Sequence, residues 1–350
     1  MPKLRDIAAE LGVSPATVSR ALNGFPEVNA TTKAAVLAAA ERMGYRPNQL
    51  AQKLVSGRSG VVGLVVHKPK TLSTDVSFFH VVSGIAATLA ERNVDLILQI
   101  AAEGDELAPY ERLIQKGLID GVILNAPRPN DRRIAFLQSE GLRFVVHGKS
   151  AEVVDYPYFD IDNQEVGYRA TEFVLDLGHR RIGLLNGPAE HAYALERLAG
   201  HRRALQGLGL EVDGNAIANG PLSEDFGYLG VLRLLRTTRD LQPTAIICAS
   251  MPTARGAHRA LRELGLSVPD DVSIVAHDDG LPEQPHDDFT DITRTYSPLT
   301  DACEPLAHLL LAAIDGAMPL ALMQRTASPE FLVGRSTGRV PMGGEASWGA

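Results

Sequence analysis

A chain of 350 residues with 45% hydrophobic and 22% charged side chains is longer than one ordinary domain and can bury a large core. Two cysteines exclude a disulfide framework and a CxxC metal site, and without an 18-residue apolar run there is no transmembrane helix. The net charge of −8 hides an asymmetry: residues 1–60 hold eight Lys/Arg against four Asp/Glu, giving +4, and the remainder holds 26 against 38, giving −12. A basic end on an acidic body presents only that end to a polyanion such as DNA.

Met1-Pro2-Lys3 leads into a helical pattern rather than a signal h-region, so a cytoplasmic protein without a membrane partner is expected. Leu4, Ile7, Ala8 and Leu11 recur at helical spacing, Gly12 permits a tight positive-φ exit, and Ser14-Pro15 opens a second helix as cap and first residue. Val18, Ala21 and Leu22 face inward there. Ala16, Thr17, Ser19 and Arg20 stay outside, small or hydrogen-bonding groups with one bidentate donor, where a solvated surface helix would carry Glu and Lys pairs. Pro15, Ala16 and Arg20 are assigned to the major groove, Arg20 as the guanine-reading donor, and Thr17, Ser19, Asn23 and Thr32 to phosphates. A third helix follows, capped by Asn29, with Val36, Ala39, Ala40 and Met43 inward and Gly44 at its end. An amphipathic run, Gln49 to Ser56, precedes Gly57-Arg58-Ser59-Gly60, which reads as a flexible joint.

From Val61 short apolar runs alternate with helical stretches, the pattern of βαβ units and a parallel sheet. The runs are 61–66, 94–101, 121–126 and 144–148, then 181–187, 216–218, 244–250 and 273–279, with the alternation restarting after 158–163. The expected fold class is α/β: a three-helix helix-turn-helix domain plus two doubly wound parallel-sheet lobes, with crossings near 159–163, 291–296 and 324–328. Ligands of such sheets sit at carboxyl ends of strands, and two facing lobes make a cleft there. The residues at those ends are His147, Lys149, Ser250, Asp278 and Asp279, joined by Tyr193 and Arg197 from the helix after 181–187. Such carboxylate, guanidinium, imidazole, hydroxyl and aromatic groups suit a neutral polyhydroxylated ligand. Cys248 and Cys303 fall in apolar runs and are expected to be buried small hydrophobes.

DIAAELGVSPATVSRALNG at 6–24 and GYRPNQLAQKLVSGRSGVVGLVV at 44–66 resemble the LacI/GalR family of bacterial transcription regulators. LGHRRIGLLNGP at 177–188, ERLAGHRRAL at 196–205, VSIVAHDD at 272–279 and LVGRSTG at 332–338 occupy matching places, so the likeness runs almost end to end. The resemblance implies a headpiece at 1–58 with a hinge helix at 49–56, whose Ala51 and Leu54 enter the minor groove, Leu54 as the kinking wedge. It also implies an effector-binding and dimerisation domain of the type I periplasmic-binding-protein kind at 61–338. Its N-lobe spans 61–159 plus 297–323 and its C-lobe 164–290 plus 329–337, ahead of a disordered tail at 339–350. Arg197 and Asp278 fall on the family's effector-binding arginine and aspartate, and Phe159, Tyr193, His147 and Tyr296 on positions that line its pocket. Ser250-Met251 departs from the Asn-Asp pair of many sugar-binding members, and Phe78 and Phe79 either stack on a sugar ring or fill the lobe interface.

The implied partners are a double-stranded, pseudo-palindromic operator, a mono- or disaccharide effector and a second copy of the chain, as homodimer or tetramer, with no cofactor and no metal. The expected function is a repressor of carbohydrate uptake or catabolism genes. A purine or nucleoside effector, a corepressor and a solute-binding protein are the alternatives. No GxGxxG follows the first strand, and no GxxxxGK[ST], HExxH or GxSxG occurs, so an enzyme is not expected.

Overall fold

The computed structural model describes residues 2–22, 25–45, 58–67, 76–101, 104–236, 238, 241–280 and 291–340, for 67 and 76–78 the backbone alone. The chain divides into two compact units, Met1–Ser59 and Gly60–Ala350. In the first, helices α1 (Leu4–Leu11), α2 (Pro15–Leu22) and α3 (Ala30–Arg42) enclose Ile7, Ala8, Val18, Ala21, Val36, Ala39 and Ala40. Local chemistry sets each boundary: Gly12 leaves α1 at φ 64°, Ser14 Oγ accepts from the Thr17 amide at 3.0 Å, and Asn29 Oδ1 accepts from the Thr32 amide at 2.8 Å. Arg42 on α3 pairs with Glu10 on α1. The run expected as a hinge helix, with Ala51 and Leu54, lies outside the described residues, as does Asn23.

Among the described residues the second unit holds two six-stranded sheets. The N-lobe sheet is built of β1 (Val61–His67), β2 (Asp95–Ala101), β3 (Gly121–Asn125), β4 (Arg143–His147), β5 (Tyr158–Ile161) and β11 (Gln324–Ala327), in the order β11-β5-β4-β3-β1-β2, every pair parallel. The C-lobe sheet takes β6 (Ile182–Asn186), β7 (Ile217–Asn219), β8 (Ala245–Cys248), β9 (Ser273–Asp278), β10 (Thr293–Tyr296) and β12 (Glu330–Leu332), in the order β12-β10-β9-β8-β6-β7, with β12 alone antiparallel. Central strands such as β6, β8 and β9 are buried throughout, which explains their uninterrupted apolar runs. The segments expected as crossings at 291–296 and 324–328 are largely strands. Each hydrogen-bonds into the sheet it leaves, and the chain changes lobe just beyond it.

Helices cover both faces: α4 (Val76–Ala90), α5 (Ala108–Gln115), α6 (Arg132–Ser139) and α11 (Cys303–Asp315) in the N-lobe, and α7 (Asn163–Asp176), α8 (Ala192–Gln206), α9 (Glu224–Leu234) and α10 (Met251–Glu263) in the C-lobe. Helices α7 and α8 cross backbone to backbone. A Cβ on Gly167 would meet the Arg197 carbonyl, and one on Gly200 would meet the Gln164 carbonyl. Cys248 and Cys303 are buried and unbridged. His179 bonds Thr244 Oγ1 through Nδ1 at 2.9 Å and the Gly338 carbonyl through Nε2 at 3.0 Å, and the Val340 amide donates to Leu177 at 3.1 Å. Arg339 and Val340, expected to begin a disordered tail, therefore continue the docked C-terminal segment, because the Val340 amide finds the Leu177 carbonyl; 341–350 lie outside the described residues.

Because neither helix backbone can yield at the crossing, Gly200→Ala should lower the free energy of unfolding by about 1–3 kcal/mol, read as a lower urea midpoint at unchanged m-value.

Candidate functional site

In the headpiece, burial of Val18 and Ala21 fixes the rotation of α2, so Pro15, Ala16 and Arg20 are exposed and Thr17 and Ser19 half-buried. The Thr17 hydroxyl is 2.9 Å from that of Ser14, and Thr32 is half-buried in the first turn of α3. The exposed face of α2 is narrow and free of carboxylates, which is what a helix entering the major groove requires.

The body's candidate site gathers at the carboxyl ends of β4, β5, β6, β8 and β9. Arg197 on α8 is its pivot, only 7% exposed. Its Nε donates to Asn163 Oδ1 at 2.9 Å, Nη1 donates to the Ala249 carbonyl at 2.8 Å, and the guanidinium carbon lies 5.2 Å from the centroid of the Tyr193 ring. Tyr193 also stacks on His191 at 5.7 Å, and burial raises its hydroxyl to about 12. A cavity of about 20 Å³ behind Arg197, lined in part by Asn186, His277 and Thr295, admits no more than a water.

The two acidic residues that close β9 part company. Asp278, the expected effector carboxylate, turns to its neighbouring strand: Oδ2 is 3.0 Å from Arg294 Nε, and Oδ1 accepts from the Gly280 amide at 2.8 Å. Asp279 takes the central place, because side chains alternate along a strand and 279 shares the face of His277. Its Oδ1 is 3.1 Å from His277 Nε2, and its side chain keeps 22% exposure. Burial would raise the Asp279 pKa, but His277, Arg197 and His147 outweigh it and hold the carboxyl below its usual range. His277 is itself lowered by burial and by Arg197, so at neutral pH it is an uncharged donor and Arg197 is the standing cation. Its Nδ1 lies 2.9 Å from Thr295 Oγ1.

From the N-lobe comes His147, pushed down to about 4 by burial, with the Asp279 charge opposing that shift across the cleft. Lys149 lies 6.0 Å from the centroid of the Tyr158 ring and acts electrostatically on Asp160. The lobes also touch through the Ala192 amide, which donates to the Pro127 carbonyl at 3.0 Å. The structure thus brings His147, Tyr193 and Arg197 together with Asp279. Phe159 is 8% exposed and packs in the N-lobe core; Tyr296 is half-buried at the end of β10, opposite Asp278. Ser250 does not offer its hydroxyl to the cleft, for it caps α10: its Oγ accepts from the Thr253 amide at 3.2 Å and sits 2.9 Å from Thr253 Oγ1. Phe79 is 57% exposed on α4, and the Phe78 side chain lies outside what is described. Asp160, Asn163 and His277, which the structure adds to this cluster, were not singled out from the sequence, and Asp279 was named there only beside Asp278; strict alternation within 273–279 is the signal that separates 277 and 279 from 278.

These two sites define the class: a DNA-reading helix-turn-helix domain joined to a type I periplasmic-binding-protein-like receptor. Residues 3–48 match the family of bacterial regulatory proteins, lacI family, and residues 59–290 match periplasmic binding proteins and the sugar binding domain of the LacI family. The chain is 38% identical over 342 residues to the HTH-type transcriptional regulator AglR of Rhizobium meliloti (strain 1021), covering 97% of this chain and 95% of that one. It is 34% identical to the regulator RafR of Escherichia coli, over 95% of this chain and 97% of the other. Among solved structures, a transcriptional regulator CelR–cellobiose complex superposes with a TM-score of 0.70 at 30% identity, covering 96% of this chain and all (100%) of that one. The chain belongs to the LacI family of transcriptional regulators, which act on DNA and are not enzymes.

His147 supplies a test of this geometry. The unfolded chain takes up its proton near pH 6.5 and the folded chain only near 4, so this group removes stability as pH falls through that window. The His147 ring signal in NMR should titrate near 4 and move lower still in Asp279→Asn; a midpoint near 6.5 contradicts the placement.

Proposed function

We propose that this protein is a repressor of carbohydrate uptake or catabolism genes that binds a pseudo-palindromic operator as a dimer and is released when a mono- or disaccharide fills the cleft. The observation that carries the reading is the electrostatic coupling of the Asp279 carboxylate to Arg197 and His147: donors and acceptors from both lobes that a neutral ligand can meet without bringing charge. Adjacent sugar hydroxyls pair with such carboxylate and guanidinium groups. The likeness to a cellobiose complex over 96% of the chain supports a disaccharide. The Tyr193 ring is already engaged by His191 and Arg197, which disfavours a purine stacked upon it.

On DNA, Arg20 reads a guanine, Pro15 and Ala16 approach base edges, and Thr17, Ser19 and Thr32 hold phosphates. Ala51 and Leu54 are assigned to the minor groove at the centre of the site. Operator binding places the protein with the genome, in the cytoplasm. Effector and operator are linked because the ligand favours one arrangement of the lobes, and the coupling is typically about 1–3 kcal/mol.

Two variants separate the roles. Arg20→Ala should cost about 1–3 kcal/mol of operator binding and relax preference at one base pair while leaving saccharide binding intact. Asp279→Asn should do the reverse. The measurements are fluorescence anisotropy with the chain's own upstream DNA and a thermal-shift screen of mono- and disaccharides; one lesion that damages both activities contradicts the division.

A further inference from the structure

We propose that Asp160 is a positioning residue of the cleft: through Asn163 it orients the Arg197 guanidinium, and its state of ionisation sets how firmly that guanidinium is held. The consequence for effector affinity rests on the sugar reading above.

Asp160 is the next-to-last residue of β5, just before the first crossing between lobes, and is 8% exposed. Its Oδ1 accepts from the Ile161 amide at 2.8 Å and from Asn163 Nδ2 at 3.2 Å. Asn163, 5% exposed in the first turn of α7, also donates Nδ2 to the Ile161 carbonyl at 3.2 Å. With two acceptors on its nitrogen side, the amide can turn only its oxygen to Arg197, where Oδ1 accepts from Nε at 2.9 Å. The flipped amide would set N–H against N–H and carbonyl against carboxylate. Asp160 therefore fixes which way Asn163 points, and Asn163 fixes one edge of Arg197 while the Ala249 carbonyl fixes another.

The groups around Asp160 come from every neighbouring element. Lys149 after β4 and Arg197 on α8 favour its charge, Glu196 on α8 opposes it, and Tyr156 precedes it on the same segment. His147 on β4 pairs in register with Phe159, and Thr326 on β11 stands opposite. Burial outweighs the two cations and pushes the Asp160 carboxyl up to about 7. The raised value means that the folded chain keeps a proton that the unfolded chain has lost, so this group's ionisation removes stability as pH rises toward 7. The ionised carboxylate nonetheless makes the stronger, charge-assisted bond to Asn163. The relay is tight above neutrality and loose below it.

The test follows the Arg197 Nε–H signal by 15N–1H NMR in the full chain, assigned by its loss in Arg197→Lys. It should move between pH 5.5 and 8.5 with a midpoint near 7 in the wild type, and stay still in Asp160→Asn. A signal static in the wild type, or one that titrates equally in Asp160→Asn, overturns the proposal. If Asp160→Asn does not fold, Asn163→Ala decides, since the pH response must vanish when the link is cut and its persistence is contradictory. In calorimetry, cellobiose should bind about fivefold more weakly at pH 6 than at pH 8, with no such change in Asp160→Asn. Equal affinity at both pH values in the wild type overturns the functional half. Failure of cellobiose to bind at any pH counts against the disaccharide reading alone, and the Arg197 signal then decides the relay.

Discussion

A guanidinium with 7% exposure is the constraint around which the receptor is arranged. Burying Arg197 without partners would be costly, and losing one partner leaves a desolvated charge behind. The chain meets that cost with groups from elements far apart in sequence: Asn163 on α7, the Ala249 carbonyl after β8 and Asp279 after β9. They can converge only because α7 and α8 touch through Gly167 and Gly200, which bring the Arg197 backbone against α7. Two glycines at the crossing of a helix pair thus decide where this buried charge stands.

The same cluster couples the two lobes electrostatically. Asp279 belongs to the C-lobe and His147 to the N-lobe, and each perturbs the other. A ligand placed between them replaces water, strengthens the remaining electrostatics and rewards the arrangement that encloses it. Near this rim the Ala192 amide reaches the Pro127 carbonyl, and N-lobe Arg133 is braced against Asp131 at 2.6 Å and donates to Ala126 at 3.2 Å. The cleft edge is therefore built from backbone groups held by a buried ion pair, a stiff element suited to passing on a change of lobe geometry.

Local signals made much of the fold readable. The helices of the headpiece begin where Ser14 and Asn29 place a capping oxygen, and Gly12 ends one where a left-handed residue is needed. Apolar runs marked the central strands because both their faces are covered. Thr293–Tyr296 and Gln324–Ala327 escaped as strands because each is a short polar segment in the region where the chain changes lobe. Motif and position pointed to Arg197 and Tyr193, which the structure places against one another. The choice between Asp278 and Asp279 was not, since it turns on Arg294 from a neighbouring strand capturing the first of them. Ser250 likewise looked available at a strand end, yet the helix that starts there claims its hydroxyl. Asp160 and Asn163 could not be singled out, because their role exists only through Arg197, more than thirty residues away.

The central claim is that a ligand held at Arg197 alters the grip of the headpiece on DNA. The most direct measurement is the dissociation constant of the full-length chain for its upstream DNA with and without saturating disaccharide, in wild type and Arg197→Lys. The account predicts a saccharide-dependent weakening, up to about 150-fold, in the wild type. In Arg197→Lys it predicts none, with unchanged DNA affinity in the absence of sugar, because an ammonium cannot reproduce the forked guanidinium contacts. An equal saccharide response in both proteins would contradict it.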